Sequence, residues 1–380
     1  MMSGFNKITF NSNLNSKRLF NEEDDFRSPF QRDRDRILHS NAFRRLAHKT
    51  QVFLSTKKQD HYRNRLTHSL EVSQIARSMS SIVGVDENLT EAIALSHDLG
   101  HPPFGHIGEN ILNDLMNKHG HQGFDHNIQT LRLLTLLEKK YALFDGLNLT
   151  FETLDGVLKH SGPIKNQKNY HLSFSKKYGF NLDQQSSIES QVAALSDDIA
   201  YNCHDIDDGI RAGLFNLNDL KEIIIIDDHI KIIKDKYPAI NDSRLIHELK
   251  RNLINTFIKD ATNQIIVNIN ANNISNHMDV ISCKKMIVQL SEKTIVRMDD
   301  MRSFLRRNMY QNREVLSYLN YAEDVVVGLF YFYKENLNKL HVNFDSDNST
   351  KNVDRVICDF ISGMTDNYAI EKYKELVQSK

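Results

Sequence analysis

Apolar residues recur at helical spacing along most of the chain. One segment repeats them every three or four positions, and its apolar members are Leu66, Leu70, Val72, Ile75, Ala76 and Met79. This period predicts an amphipathic helix with one buried face. Only 5 of the 380 residues are proline, so few positions interrupt such helices. The pattern therefore predicts a mostly helical protein.

Further elements follow from the same period and from their stop signals. The predicted helices cover 31–48, 107–118, 150–160, 188–203 and 298–340, with a helix pair over 350–378. Residues 51–54 have the composition of a short strand, and 57–65 would form the turn of a small β-hairpin. Residues 165–185 are polar and are predicted to be a loop, and 263–275 are predicted to be irregular or strand-like.

Changes in composition divide the chain into four parts. Residues 1–30 are polar and are expected to be extended or partly ordered, and 31–216 form the core. Residues 217–297, rich in Ile, Lys, Asp and Asn, are predicted to be a helical appendage. Residues 298–380 supply C-terminal helices that are expected to pack back on the core.

Composition narrows the compartment and the partners. The formal net charge is −1, so no global basic field favours nucleic-acid binding. The three cysteines stand far apart, which fits neither a disulfide framework nor a zinc knuckle. The N-terminus lacks an apolar stretch of signal-peptide length, and the apolar runs 223–226 and 325–333 are too short to span a membrane. We therefore expect a soluble, cytoplasmic protein.

The candidate chemistry is concentrated in residues 94–110. His97 and Asp98 end an apolar segment, and a turn rich in glycine and proline follows them. The chemically able residues in and after that turn are His101, His106, Glu109 and His126. Any one of these histidines is as readily a surface or hydrogen-bonded core residue, but their clustering beside predicted helices indicates a site.

His68 and Asp197 complete an H…HD…D series with His97 and Asp98. Two imidazoles and two carboxylates suit a divalent metal such as Mg, Mn or Fe(II) better than a thiolate-seeking one. Such a metal polarises phosphoryl oxygens and activates water. The series predicts a metal-dependent phosphohydrolase.

The sequence resembles the HD-domain deoxynucleoside triphosphate triphosphohydrolases, the dGTPase-like group. The resemblance lies in the stretches 32–53, 65–72, 94–109, 197–209 and 359–373. It implies a mostly α fold with an HD-superfamily helical core, a small β-hairpin and a C-terminal helical subdomain. It also implies hydrolysis of a dNTP to deoxynucleoside and inorganic triphosphate, and assigns Asp197 rather than Asp198 as the ligand. The further partners that it suggests are a regulatory dNTP, single-stranded nucleic acid and copies of the same chain, often in a hexamer.

His106 and Glu109 are the predicted catalytic pair. They are three residues apart at the start of a predicted helix, so their side chains would be in reach of each other. A carboxylate that orients an imidazole raises its basicity, which general acid–base catalysis requires. The simpler interpretation is a helix start with an ordinary acidic first turn.

The predicted substrate-binding residues are Gln51, Arg65, His126, Lys159, Lys177, Tyr201, Asp205 and Tyr310. The cations among them would meet the charge of a triphosphate, although Lys177 is equally well explained as a surface charge. Tyr201 and Asp205 follow Asp197 at i+4 and i+8, which places all three on one helix face within about 80°. Tyr201 and Asp205 are therefore predicted to recognise the deoxyribose.

Two other functions are compatible with parts of this pattern. Another HD reaction, such as that of a 5′-nucleotidase, needs only the H…HD…D ligands and leaves His106 and Glu109 unexplained. A nucleotide-sensing or single-stranded-DNA-binding protein with low turnover would use the arginine-rich segment 32–45, and a missing ligand would favour it. None of the four ligands is missing.

Overall fold

The computed structural model describes residues 8–9, 16–23, 26–51, 63–340 and 352–378, apart from the side chains of 314–317 and 319. The predicted mostly α fold is confirmed. The helices are α1 (Pro29–Leu38), α2 (Asn41–Arg45), α3 (Arg65–Val83), α4 (Glu87–Ser96), α5 (His106–Lys118), α6 (His126–Arg132), α7 (Phe151–Leu158), α8 (Asn169–Tyr178), α9 (Ile188–Arg211), α10 (Ile224–Lys236), α11 (Asp242–Ala271), α12 (His277–Ser282), α13 (Glu292–Leu305), α14 (Arg313–Glu335), α15 (Val353–Ser362) and α16 (Asp366–Tyr373).

The predicted β-hairpin falls largely on residues 52–62, which lie outside the described residues. At its edges, Thr50 and Asn64 form an isolated antiparallel bridge. Within the described ranges, no other β-pairing occurs.

The chain forms two compact units, each assembled from separate stretches. The first unit contains Met1–Asn11, Glu71–Ala94 and Gln184–Leu316, and the second contains Ser12–Leu70, Leu95–Asp183 and Ser317–Lys380. The division into four parts made from composition stays a prediction.

The core of the second unit joins α5 to the C-terminal helices α14, α15 and α16. Buried members of this core are Phe104, Leu112, Met116, Val325, Leu329, Phe330, Ile357 and Ile361. Phe104 belongs to the turn that precedes α5, so the glycine- and proline-rich turn rests directly on this core. Burial of its large ring therefore anchors the turn, because apolar area removed from water stabilises the folded chain.

In the first unit, the prediction of irregular or strand-like structure for 263–275 is wrong. Most of this stretch belongs to α11, a helix of 30 residues. Buried apolar residues recur along α11 every four positions and include Leu249, Leu253, Phe257, Ala261, Ile265 and Ile269. Tertiary burial of this face outweighs the local strand preference of its isoleucines and valine. No described helix, α11 included, combines the length and apolarity that crossing a membrane requires.

In the second unit, the prediction of a loop over 165–185 is also wrong in part, because α8 occupies its centre. The N–H of Lys168 donates to Nδ1 of His171 at the start of this helix. Gly179, with φ of 76°, ends the helix in the left-handed conformation that glycine adopts readily. The Tyr178 ring stacks on Phe180, with centroids 5.4 Å apart. The polar composition of the segment does not indicate this apolar contact.

The arginine-rich segment forms α1 and α2. Several of its arginines form hydrogen bonds or ion pairs within the second unit. Arg36 is buried and donates to the carbonyl oxygens of Leu147 and Asn148. It also pairs with Glu22 at 2.7 Å, while Arg34 pairs with the neighbouring Asp35 at 2.9 Å. These arginines therefore stabilise the fold instead of forming an open basic face.

Candidate active site

Three of the four predicted metal ligands lie together in the second unit. His68 is in the first turn of α3, and His97 and Asp98 follow the last residue of α4. One ligand atom of each residue lies within 4.8 Å of the others, and all three residues are buried. Buried imidazole and carboxylate donors at this spacing fit a divalent cation, whose charge would offset the cost of burying a carboxylate.

Asp98 is ionised although it is buried. Nη1 of Arg65 lies 2.8 Å from Oδ2 of Asp98, and Nδ1 of His101 lies 2.9 Å from Oδ1. Burial alone would raise the pKa of Asp98, but Arg65, His97 and His101 outweigh it and hold that pKa well below its ordinary value. The carboxylate is therefore available to a cation at neutral pH.

Arg65 has more donors than the described residues around it satisfy. Its side chain is 1% exposed, and among the described residues neither Nε nor Nη2 has a hydrogen-bond partner. The backbone of Gly105 passes so close that a Cβ there would lie 2.7 Å from Nη2. A buried guanidinium with unused N–H groups is a strong site for an anion such as phosphate.

A second group of titratable residues lies beside the metal-ligand group. The rings of His101 and His126 are stacked with centroids 4.0 Å apart, and His106 meets His101 edge-on at 5.0 Å. Ligand atoms of His101, His106 and Glu109 lie within 4.8 Å of one another. The sequence pattern gives His101 no specific role, although its place in the same turn as His106 is a signal for one.

Glu109 has a different partner from the one predicted. Its carboxylate accepts from the backbone N–H of His126 at 2.9 Å, and Nδ1 of His126 lies 2.9 Å from each carboxylate oxygen. The expected partner was His106, at i−3 on the same helix. The first residue of α6 approaches the first turn of α5, and this contact between helices decides the pairing.

The pKa values of His126 and His106 shift in opposite directions. Burial alone would lower the pKa of His126, but the hydrogen bond and charge of Glu109 raise it above its ordinary value. Burial and the charges of Arg65 and His126 lower the pKa of His106. Burial raises the pKa of Glu109, but the bond to His126 reverses this and lowers it. His126 therefore keeps its proton to higher pH than a free imidazole does, and His106 loses its proton at lower pH.

Close packing of the turn against α6 brings the two groups together. The N–H of Gly100 donates to Oγ1 of Thr130 at 2.9 Å. A Cβ on Gly100 would lie 2.1 Å from the carbonyl oxygen of His126, so only glycine allows this approach.

The two predicted lysines have different surroundings. Lys159 is 3% exposed, and its ammonium pairs with Asp155 at 2.9 Å. The sequence pattern marks the neighbouring His160 only as the end of a predicted helix. Its ring is stacked on that of His97, with centroids 5.3 Å apart. Lys177 is exposed on α8, with Nζ 5.3 Å from the Tyr178 ring centroid.

Gln51 ends the described stretch that leads into the predicted hairpin. Its side-chain oxygen Oε1 is buried, and it has no hydrogen-bond partner among the described residues. An unused buried acceptor is compatible with the assignment of Gln51 as a substrate-binding residue, which stays a prediction.

The remaining predicted site residues lie in the first unit. Asp197, Tyr201 and Asp205 are all on α9, which is longer than predicted and so includes the whole i, i+4, i+8 series. The hydroxyl of Tyr310 donates to Asp205, and the rings of Tyr310 and Tyr201 are stacked with centroids 6.2 Å apart. Burial and the charge of Asp205 raise the pKa of Tyr310, so its phenol stays protonated.

Asp197 and Asp198 differ in exposure on α9. Asp198 has a side chain that is 54% exposed and lies 3.1 Å from Arg302. Asp197 is half-buried. The assignment of Asp197 as the fourth ligand stays a prediction.

Two protein-family models match separate stretches of this chain. The HD domain model matches residues 65–202, and the model of the phosphohydrolase-associated domain matches residues 288–375. The first match includes both titratable groups of the second unit, and the second match includes the C-terminal helices on which their turn rests.

Several relatives match over nearly the whole chain. A deoxyguanosinetriphosphate triphosphohydrolase-like protein of Rickettsia bellii (strain RML369-C) is 44% identical over 356 residues, which cover 92% of each chain. A protein with the same description from Bartonella quintana (strain Toulouse) is 45% identical over 370 residues, covering 94% of this chain and 92% of the relative. One from Rickettsia typhi (strain ATCC VR-144 / Wilmington) is 43% identical over 359 residues, covering 93% of each.

Proposed function

Because the chain belongs to the HD-domain family of deoxyguanosinetriphosphate triphosphohydrolase-like proteins, we propose that it hydrolyses deoxynucleoside triphosphates to deoxynucleoside and inorganic triphosphate. Water would attack the α-phosphorus, and the bond from phosphorus to the 5′-oxygen would break. One proton from water passes to the medium through the protein, and the departing 5′-oxygen gains one.

The observation that supports this proposal is a juxtaposition within the second unit. A buried metal-ligand group, an arginine with unused donors and a carboxylate–histidine pair are linked through Asp98 and His101. Phosphoryl transfer needs charge stabilisation, anion binding and proton transfer, and these three features supply one each.

His68, His97 and Asp98 would hold a divalent metal, which when bound supplies Lewis-acid stabilisation of phosphoryl charge and favours ionisation of water. Arg65 would orient the substrate by donating Nε and Nη2 to a phosphate oxygen, since Nη1 is already committed to Asp98. Lysine at this position would lose the forked geometry that lets one side chain donate to Asp98 and to a phosphate oxygen in fixed directions.

His126 would supply the proton that the departing 5′-oxygen needs. Glu109 raises the pKa of that imidazole and hydrogen-bonds its Nδ1, which leaves Nε2 as the donor to substrate. His106, with its lowered pKa, would accept a hydrogen bond or a proton from the attacking water. Glu109 thus acts in catalysis through His126, whereas the sequence pattern had placed it with His106.

The direct test is to incubate the purified protein with each of the four dNTPs in Mg²⁺ or Mn²⁺ and to separate the products by chromatography. We expect deoxynucleoside and triphosphate in equal amounts, without dNDP or pyrophosphate. Release of pyrophosphate, or cleavage of dNMP alone, would contradict the proposal and favour another HD reaction. Running the assay with and without a second dNTP tests whether a nucleotide activator is required.

The sugar specificity rests on the face of α9 that bears Tyr201 and Asp205. A tyrosine ring against C2′ would exclude a 2′-hydroxyl, and a buried carboxylate would accept a hydrogen bond from the 3′-hydroxyl. We expect a 2′,3′-dideoxy analogue to be cleaved up to about 10⁴-fold more slowly than the dNTP. Tyr201→Ala should narrow the preference for dNTP over rNTP, measured as the ratio of kcat/KM values.

Tyr178→Ala is the matched control for that experiment, because it also removes a stacked tyrosine but lies in the second unit on α8. It should leave the ratio unchanged. An unchanged ratio in Tyr201→Ala, together with equal cleavage of the dideoxy analogue, would mean that this helix does not contact the sugar.

A further inference from the structure

The turn before α5 has an unusual backbone conformation. Phe104 has φ of 67°, and Gly105, with φ of 59°, follows it. The left-handed conformation is costly for a residue with a Cβ, and it persists only where surrounding contacts hold it. Gly108 lies against the same turn, since a Cβ there would meet the Pro103 carbonyl oxygen at 2.0 Å. The conformation of this turn determines where His101 and His106 lie.

Asp366, the first residue of α16, supplies one of those contacts from the C-terminal end of the chain. It is 3% exposed. Its Oδ1 accepts from the N–H of Phe104 at 3.0 Å, and its Oδ2 accepts from the N–H of Thr50 at 2.7 Å. The two carboxylate oxygens therefore tie the strained residue to the stretch that precedes the helix of His68.

Lys49 makes the complementary contact from the other side of the turn. Its buried Nζ donates to the carbonyl oxygens of His101 and Ser362, the latter at 2.9 Å. Its own carbonyl oxygen accepts from the N–H of Arg65 at 3.1 Å. Residues 49 and 50 thus join the turn, the start of α3 and the C-terminal helices. Nζ of Lys49 and both carboxylate oxygens of Asp366 are thus engaged in contacts with the protein itself.

We propose that Asp366 and Lys49 are positioning residues, which hold the turn 98–106 so that His101 and His106 face the Glu109–His126 pair. This inference rests on the proposed function and adds a role for the segment matched by the phosphohydrolase-associated domain. Catalytic groups must be held within about 0.5 Å of their working geometry, and a misplacement of about 1 Å costs on the order of 10²-fold in rate.

Asp366→Asn tests the proposal. Asparagine keeps one acceptor oxygen, but its NH₂ group must then face either the Phe104 or the Thr50 N–H, where it is a donor against a donor. We expect kcat to fall by about 10–100-fold while KM changes little, because orientation is lost and phosphate binding is retained. Amide exchange of residues 100–106 should become faster, and metal content should stay as in the wild type. Asp366→Glu, which keeps both acceptors, should recover part of the rate.

Asp354→Asn is the matched control, because Asp354 is also a C-terminal carboxylate with several polar partners. It pairs with Lys334 at 2.8 Å and with His121 at 3.0 Å, away from the turn. It should lower Tm without changing kcat or the exchange of residues 100–106. A merely structural role for Asp366 would give the same result as this control, and that result would overturn the proposal.

Amide exchange and metal content do not depend on turnover. If the wild-type protein cleaved no dNTP, the proposed function would fail, while exchange of residues 100–106 would still decide whether Asp366 holds the turn. If exchange were unchanged in Asp366→Asn, the positioning role would fail whatever the wild-type activity.

Discussion

Asp98→Ala is expected to lose the bound metal and almost all activity together. Asp98 is the carboxylate of the buried ligand group, and its low pKa makes it the anionic donor there. A catalytic metal contributes several kcal/mol of charge stabilisation, so its loss should lower kcat by on the order of 10³–10⁴-fold. Elemental analysis of the purified variant, alongside the wild type, measures the metal directly.

A second variant separates metal loss from unfolding. Asp98→Ala also leaves the buried Arg65 without its partner, and breaking such a pair costs about 3–5 kcal/mol. Asp98→Asn keeps an acceptor for Arg65 and removes only the charge, so it should fold and still lack metal. Asp207→Asn is the control, since Asp207 is a buried carboxylate paired with Lys250 at 2.9 Å. Full metal occupancy in a folded Asp98→Asn would refute the assignment.

His126→Ala is expected to lower kcat by about 10²–10⁴-fold with its metal retained, because general acid–base groups contribute that factor. His106→Ala should lose a similar factor, and the double variant should be little worse than either, since groups that act as a unit are not additive. His121→Ala is the control, because this histidine pairs with Asp354 outside the cluster. Loss of metal from His106→Ala would reassign His106 as a ligand.

The pH dependence should report the Glu109–His126 pair. The pKa of His126 is raised, so the protonated acid persists to higher pH than a free imidazole allows, and kcat/KM should fall as pH rises through that pKa. Glu109→Gln removes the charge that raises the pKa. The alkaline limb of the profile should therefore move to lower pH. A limb that stayed in place would mean that His126 is not the titrating acid.

Local periodicity explains which helices are predictable from the sequence and which are not. The helix predicted over 107–118 matches α5, and the pair over 350–378 matches α15 and α16, because strong amphipathic patterns and helix signals agree there. In α11 the signals conflict, since isoleucine and valine favour strands while burial recurs every four residues. The packing of that face within the first unit resolved the conflict.

The sequence by itself identified the candidate site residues: an H…HD…D series, a turn dense in histidine, and a helix that presents Asp197, Tyr201 and Asp205 on one face. These features follow from residue types and from their spacing along the chain. Only the tertiary structure decided that Glu109 bonds to His126, and that Asp366 and Lys49 hold the turn. Hydrogen bonds between residues far apart in sequence leave no periodic pattern along the chain. They form only where separate helices meet, because polar groups buried there need hydrogen-bond partners.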